Sequence, residues 1–169
     1  MSELGNMIQM QLANLEEMVR RVAAPLPAGI RLRPANLATD LPLIAGLYNA
    51  IFARDEAETL TAEEVAGYVR HPGLDALGVF LAFAGEAVVG LAIGKREVPA
   101  QGEPSGRGSV ELVAVRADYQ RRGIGRALVH RALAWLSEQG VERVIAAADH
   151  PMVLGLLQRY GFRPAEANA

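Results

Sequence analysis

The sequence predicts an α+β protein, an α/β/α sandwich built on one mixed and mostly antiparallel sheet. Strand and helix patterns follow one another in the order β, α, α, β, β, β, α, β, α, β after an N-terminal helix pattern. Three consecutive strand patterns between residues 79 and 115 are typical of antiparallel neighbours. A strand–helix–strand unit follows them and is typical of a parallel pair, so helices are expected on both faces of one sheet.

The N-terminal segment predicts an amphipathic helix over Met7–Val22, because Ile8, Leu12, Leu15 and Val19 recur at helical spacing. The stretch over residues 24–29 contains two prolines and ends that helix. Residues 1–29 are therefore interpreted as a helix and a Pro-rich linker. The helix is expected to dock on the rest of the chain or on a second subunit of a homodimer.

The next elements are a strand and two helices. Ile30–Pro34 alternates apolar and charged residues, which predicts a strand. Asp40 or Thr39 is expected to cap a helix that continues to about residue 53. The segment Thr61–Glu64 has the pattern of a capping box and predicts the start of a second helix.

The central strands come next. Val79–Phe83 and Ala87–Ile93 are apolar runs joined by a short turn and predict a hairpin. Residues 97–108 are rich in Pro, Gly and Ser and predict a loop. Val110–Val115 predicts a buried strand in which Glu111 is the sole charge.

The C-terminal third predicts helix, strand, helix and a short final strand. The pattern is helical from Arg126, and Gly140 stands where a C-terminal cap is expected. Val141–Ala147 predicts a strand and Met152–Arg159 a short helix. Seven residues follow Phe162, so the sheet is expected to lack a full strand at this end.

Composition excludes several classes of function. The chain has 169 residues and a net charge of −2, which argues against a general nucleic-acid binder. It has no cysteine, which excludes disulfides, a thiolate nucleophile and a thiolate metal site. Its three histidines, His71, His130 and His150, lack metal-site spacing, so no metal is expected. The sequence contains neither a membrane-span pattern nor a secretory signal, and a cytoplasmic protein is expected.

The junction between the strand Val110–Val115 and the following helix predicts a phosphate site. It contains Gly123 and Gly125, where a ligand can approach the backbone, and Arg121 and Arg122, which can bind phosphate oxygens. A helix N-terminus also attracts anions. The P-loop spacing is absent, and Leu128 stands where a dinucleotide fingerprint needs a small residue. The alternative is an ordinary strand–helix turn with solubilising arginines.

The pattern Gln120-x-x-Gly123-x-Gly125 after an apolar strand resembles the acetyl-CoA pyrophosphate loop of the GCN5-related N-acetyltransferase (GNAT) family. The resemblance extends from about Ile30 to Phe162 and is most specific over Val110–Ala127. It implies that residues 30–169 form an acetyltransferase domain, in which the strands at 109–116 and 141–148 diverge in a V-shaped splay. It implies acetyl transfer from acetyl-CoA to a primary amine by direct attack in a ternary complex.

The resemblance also implies the CoA-binding residues. The thioester arm would bind backbone groups of the diverging strand, and the pyrophosphate would bind N–H groups of the loop. The residues so assigned are Leu112, Val113, Ala114, Val115, Gln120, Arg121, Arg122, Gly123, Ile124, Gly125 and Arg126.

The catalytic groups are assigned with alternatives. Glu111 is the candidate base, acting through a water; alternatively it points off the buried face or pairs with a lysine or arginine. Many relatives read Asn-x-x-Ala-x-x-x-Tyr-x-x-x-Gly-Phe, which places His150 and Leu157 at the Asn and Tyr positions. The candidate acids are therefore Tyr160, three residues later, and His150. Alternatively the CoA thiolate leaves without an acid, because the thiol pKa is near 8.5.

The acceptor is expected to be a small-molecule or peptide amine, and no nucleic acid or membrane is an expected partner. The loop after the first domain helix contains Asp55, Glu56 and Glu58, which suits a cationic amine or forms a solvated face. Leu157 at the tyrosine position motivates an alternative, a non-catalytic acetyl-CoA sensor. A weaker alternative is a site for another nucleotide.

Overall fold

The structure is a computed structural model and describes residues 8–22, 24–70, 77–98, 106–148 and 151–165. The strands are β1 Ile8–Leu12, β2 Ile30–Pro34, β3 Leu77–Ala84, β4 Ala87–Arg96, β5 Arg107–Val115, β6 Arg143–Ala148 and β7 Arg163–Pro164. The helices are α1 Leu15–Arg21, α2 Leu41–Phe52, α3 Ala62–Arg70, α4 Ile124–Glu138 and α5 Pro151–Arg159.

These strands form one sheet in the order β2-β3-β4-β5-β6-β1-β7. All neighbours are antiparallel except β5 and β6, which are parallel. Leu81 belongs to a cluster with residues of α2 and α3, whereas its neighbour Phe80 belongs to a cluster with residues of α4. Successive strand residues point to opposite faces, so helices cover both faces. The predicted fold class is confirmed.

The N-terminal segment departs from the prediction. The single helix predicted over Met7–Val22 is wrong for its first half, because Ile8–Leu12 forms β1 and the helix α1 begins at Leu15. Met10 and Leu12 are buried while the residues on either side of Met10 are exposed, so the burial period is that of a strand. Tertiary pairing with β6 and β7 therefore overrides the helical spacing of the apolar residues.

β1 lies between β6 and the short C-terminal strand β7 in the sheet. β7 comprises Arg163–Pro164 and pairs with β1. β1 lies beside β6 and pairs with it from Ile8↔Ala148 to Leu12↔Val144. The N-terminal segment thus forms part of the sheet, between β6 and β7.

Two irregularities of β5 create the site. β5 and β6 pair from Arg107↔Arg143 to Val110↔Ala146, whereas β5 continues to Val115 paired with β4 alone. The predicted splay is therefore confirmed. On the β4 side, Ile93 pairs with Leu112 and Gly94 with Val110, which leaves Glu111 as the extra residue of a β-bulge.

Candidate active site

The loop between β5 and α4 is held against the end of β5. The side-chain amide of Gln120 donates a 3.0 Å hydrogen bond to the carbonyl of Val115. Arg121 and Gly123 both have left-handed backbone conformations, with φ of 63° and 88°, and α4 begins directly after Gly123. Glycine adopts this conformation without strain. Backbone N–H groups in such a turn, together with those of the first helical turn, form a concave anion site.

The two predicted phosphate-binding arginines differ in position. The Arg122 guanidinium donates a 3.2 Å hydrogen bond to the carbonyl of Asp118 and lies 4.9 Å from the centre of the Tyr119 ring. Arg121 is exposed and lines the main cavity. Arg122 therefore braces the loop, while Arg121 borders the cavity.

The main cavity has a volume of about 540 Å³, which is within the usual range of small-molecule sites. It follows the diverging part of β5. Leu112, Val113, Ala114 and Val115 line it along the strand. The loop contributes Gln120, Arg121 and Gly125, and other elements contribute Phe52, Val129 and Leu157. Of the remaining assigned CoA residues, Arg122, Gly123 and Arg126 flank this lining in the sequence, and the side chain of Ile124 is buried in the core.

Glu111 lies at the bulge and is exposed. One of its carboxylate oxygens accepts a 2.8 Å hydrogen bond from the hydroxyl of Ser109. None of the ion pairs found among the described residues includes Glu111. It points away from the core and at the same time lines the cavity, so a ligand there can reach the carboxylate.

A second hollow of about 310 Å³ shares Glu111 with the main cavity and suits a small ligand. Its other lining residues are Tyr68, Leu77 and Lys95. Tyr68 is 59% exposed, and the partial burial of its side chain raises the pKa of the phenol above its ordinary value, with the nearby Glu111 and Tyr48 raising it further. The phenol is therefore protonated at neutral pH and can donate a hydrogen bond.

Residues 45–162 match the family model described as the Acetyltransferase (GNAT) family. The chain belongs to this family.

Curated GNAT relatives include the mycothiol acetyltransferase of Geodermatophilus obscurus, which is 30% identical over 140 residues, covering 81% of this chain and 46% of that protein. The mycothiol acetyltransferase of Mycobacterium avium is 31% identical over 167 residues, covering 90% of this chain and 52% of that protein. The chain thus spans about half the length of these curated relatives.

Solved structures share the GNAT fold. A GCN5-related N-acetyltransferase from Sphaerobacter thermophilus superposes with a TM-score of 0.69 at 21% identity, covering 94% of this chain and 48% of that one. An acetyltransferase from Thermus thermophilus gives 0.62 at 27% identity, covering 83% and 90%. An aminoglycoside acetyltransferase from an uncultured soil metagenomic sample, in complex with sisomicin, gives 0.64 at 21%, covering 83% and 92%.

Leu157, which is predicted to stand at the tyrosine position of the family, lines the main cavity. Tyr160 lies elsewhere. It is 1% exposed, belongs to a core cluster, and its hydroxyl donates a 2.7 Å hydrogen bond to the carbonyl of Arg126. Tyr160 is not among the residues that line either hollow, and its role as an acid stays a prediction against which its burial and its hydrogen bond argue. The other candidate, His150, lies outside the described residues.

Three residues near Glu111 are absent from the predicted site residues, namely Ser109, Tyr68 and Lys95. A signal for Lys95 is present, because it continues the alternation of Leu91 and Ile93 and so shares their face of the sheet. In contrast, the bulge that brings Glu111 beside Tyr68 has no local sequence signal.

The described residues contain neither a metal-binding cluster nor a membrane-spanning helix. No group of three or more His, Asp or Glu residues there could hold a metal ion. Every helix in that part of the chain is too short or too polar to cross a bilayer.

Proposed function

We propose that this chain is an N-acetyltransferase that moves an acetyl group from acetyl-CoA to a primary amine by direct attack in a ternary complex. The observation that carries the proposal is the continuity of one cavity from the anion-binding loop, along the unpaired edge of β5, to the carboxylate of Glu111. A phosphate-bearing thioester and a base are the two components that such an arrangement serves.

Binding uses the backbone of β5 and of the loop. The diphosphate of acetyl-CoA would lie against the N–H groups between Arg121 and Arg126, with Arg121 reaching an outer phosphate. The pantetheine arm would lie along Leu112–Val115, where the divergence of β6 leaves backbone groups without a strand partner. These contacts would orient the thioester toward Glu111. Orientation supplies much of the rate enhancement in such reactions.

Glu111 is the proposed base. An alkylammonium has a pKa of about 10.4 and must lose a proton before it attacks. Glu111 would accept this proton directly or through one water, within the usual hydrogen-bonding reach of a general base. The amine nitrogen then bonds to the thioester carbon, the carbon–sulfur bond breaks, and the electron pair leaves with the sulfur of CoA. The nitrogen loses its extra proton to solvent, which leaves a neutral amide.

Departure of the thiolate is proposed to need no tyrosine. Leu157 offers no proton, and the hydroxyl of Tyr160 is engaged with the carbonyl of Arg126. A thiol with a pKa near 8.5 is a tolerable leaving group. The cavity position of Leu157 also favours the second candidate function, a non-catalytic acetyl-CoA sensor or regulatory domain.

Turnover separates the two functions. The protein would be incubated with acetyl-CoA and a panel of amines, and free thiol release would be measured. Release with at least one amine supports the transferase. Calorimetric binding of acetyl-CoA without release across the panel supports the sensor, and binding of ATP or NAD in place of CoA contradicts both. The acceptor is proposed to be a small-molecule or peptide amine, as the names of the curated and structural relatives suggest. A cytoplasmic location and a homodimer stay predictions.

A further inference from the structure

Two opposite charges, those of Glu111 and Lys95, line the second hollow. Lys95 on β4 pairs in register with Ser109 on β5, and Glu111 follows Ser109 by two residues. Both residues line the same hollow, together with Tyr68 and Leu77.

These two charges do not neutralise each other. The Glu111 carboxylate accepts the hydroxyl of Ser109, and neither Glu111 nor Lys95 belongs to an ion pair found among the described residues. Glu111 is exposed and Lys95 is half-buried, and an ion pair this near to solvent has little to gain by closing. The hollow thus presents a carboxylate and an ammonium to a ligand, with the protonated phenol of Tyr68 as a further donor.

We propose that this hollow is the acceptor site and that the acceptor is a zwitterion, a small amino acid whose ammonium meets Glu111 and whose carboxylate meets Lys95. This inference rests on the proposed transferase function and names the acceptor class. Glu111 is the residue that both hollows share, so an ammonium bound to it lies at the entrance to the thioester cavity.

Charge balance favours an amino acid over two other ligand classes. A polycationic acceptor would place a second ammonium beside Lys95, which like-charge repulsion disfavours. A phosphorylated amine carries up to two negative charges on its phosphate. Among the described lining residues, Lys95 is the one cation that could balance them. An amino acid matches one anion and one cation with one of each, so each charge of the hollow meets an opposite charge of the ligand.

The test compares amino acids with their carboxamides, which keep the amine and lose the negative charge. Thiol release from acetyl-CoA would be measured with several matched pairs. For the wild-type protein we expect kcat/KM for the preferred amino acid to exceed that of its amide by about tenfold or more, the scale of one charge-assisted hydrogen bond. Lys95→Gln should abolish this preference by lowering the amino-acid value alone, and Lys95→Arg should retain most of it. The KM for acetyl-CoA should be unchanged in both variants.

Equal use of amino acids and amides by the wild-type protein would overturn the inference and leave the transferase function intact. The inference would also be overturned if Lys95→Gln lowered kcat/KM by the same factor for the amino acid and for its amide. A thermal melt of each variant separates these results from unfolding. Absence of thiol release with every acceptor overturns the inference together with the proposed function, and binding of acetyl-CoA then identifies the sensor.

Discussion

The hydroxyl of Tyr160 donates a 2.7 Å hydrogen bond to the backbone carbonyl of Arg126, 34 residues away in the sequence. This bond joins the turn after α5 to the first turn of α4. It uses the proton that a catalytic tyrosine would have to supply, and it lies in the core.

A Tyr160→Phe variant therefore separates structure from catalysis. It removes one buried hydrogen bond and keeps the ring, so we expect the free energy of unfolding to fall by about 1 kcal/mol. The kcat and its pH profile should stay as in the wild type. Urea unfolding and steady-state kinetics measure the two effects. A large fall in kcat without a loss of stability would restore Tyr160 as the acid.

A Glu111→Gln variant tests the base. The amide keeps an oxygen that can accept the Ser109 hydroxyl but cannot accept a proton from the amine. We expect kcat to fall by about 10²–10⁴, the usual contribution of a general base. The matched control is Ser109→Ala, which removes the partner of the carboxylate and keeps the base. If both variants fall by the same small factor, Glu111 acts only in positioning.

The place of β1 gives a stability prediction. Met10 is fully buried in the core cluster that contains Leu15, Leu133 and Tyr160. Met10→Ala should lower the free energy of unfolding by about 2–5 kcal/mol, as other large-to-small core changes do. Gln11→Ala on the exposed face of the same strand should change it by less than about 0.5 kcal/mol. Equal effects of the two variants in urea unfolding would show that β1 is not docked.

His130 predicts a pH dependence of stability. Burial lowers its pKa below the ordinary value of 6.5, and the Arg126 cation lowers it further. The folded protein then holds this proton less tightly than the unfolded chain does. The stability contribution is therefore complete above about pH 6.5 and is lost as the pH falls through the lowered pKa of the folded state.

The matched variant is His130→Leu, which keeps the two other histidines of the chain, His71 and His150. The wild-type protein should lose more of its free energy of unfolding between about pH 8 and pH 5 than the variant does. Parallel curves for the two proteins would contradict the prediction. One ring nitrogen of His130, Nδ1, is buried without a hydrogen-bond partner in the described structure, which fits a neutral ring.

The sequence predicts most of the fold because its local signals agree with the tertiary structure. The capping box at Thr61 forms as predicted, with 3.1 Å and 2.7 Å bonds between Thr61 and Glu64. Gly140 has the left-handed conformation of a helix terminus. The prediction of one helix over Met7–Val22 is wrong because Met10 and Leu12 belong to a strand that pairs with β6, far along the chain. Such pairing leaves no local pattern in the sequence.

The candidate site follows the same rule. The loop from Gln120 to Gly125 is a local motif and is predicted residue by residue. The bulge at Glu111, the pairing of Lys95 with Ser109 and the burial of Tyr160 depend on contacts between distant segments. Tyr160 illustrates the limit, since its spacing from Leu157 suggests access to the cavity and only packing shows that it is enclosed.

Calorimetric titration of acetyl-CoA into the wild-type protein and into two Gly125 variants tests the central claim most directly, namely that the diphosphate lies against the loop. A β-carbon added at Gly125 would lie 3.7 Å from the nearest atom of the Val115 side chain, an ordinary contact, so Gly125→Ala should fold and bind. Gly125→Glu fills the turn and adds a negative charge where the phosphates are expected, so its affinity should fall by about 100-fold or more. If Gly125→Glu binds acetyl-CoA as tightly as Gly125→Ala does, the diphosphate does not lie at this loop and the account is contradicted.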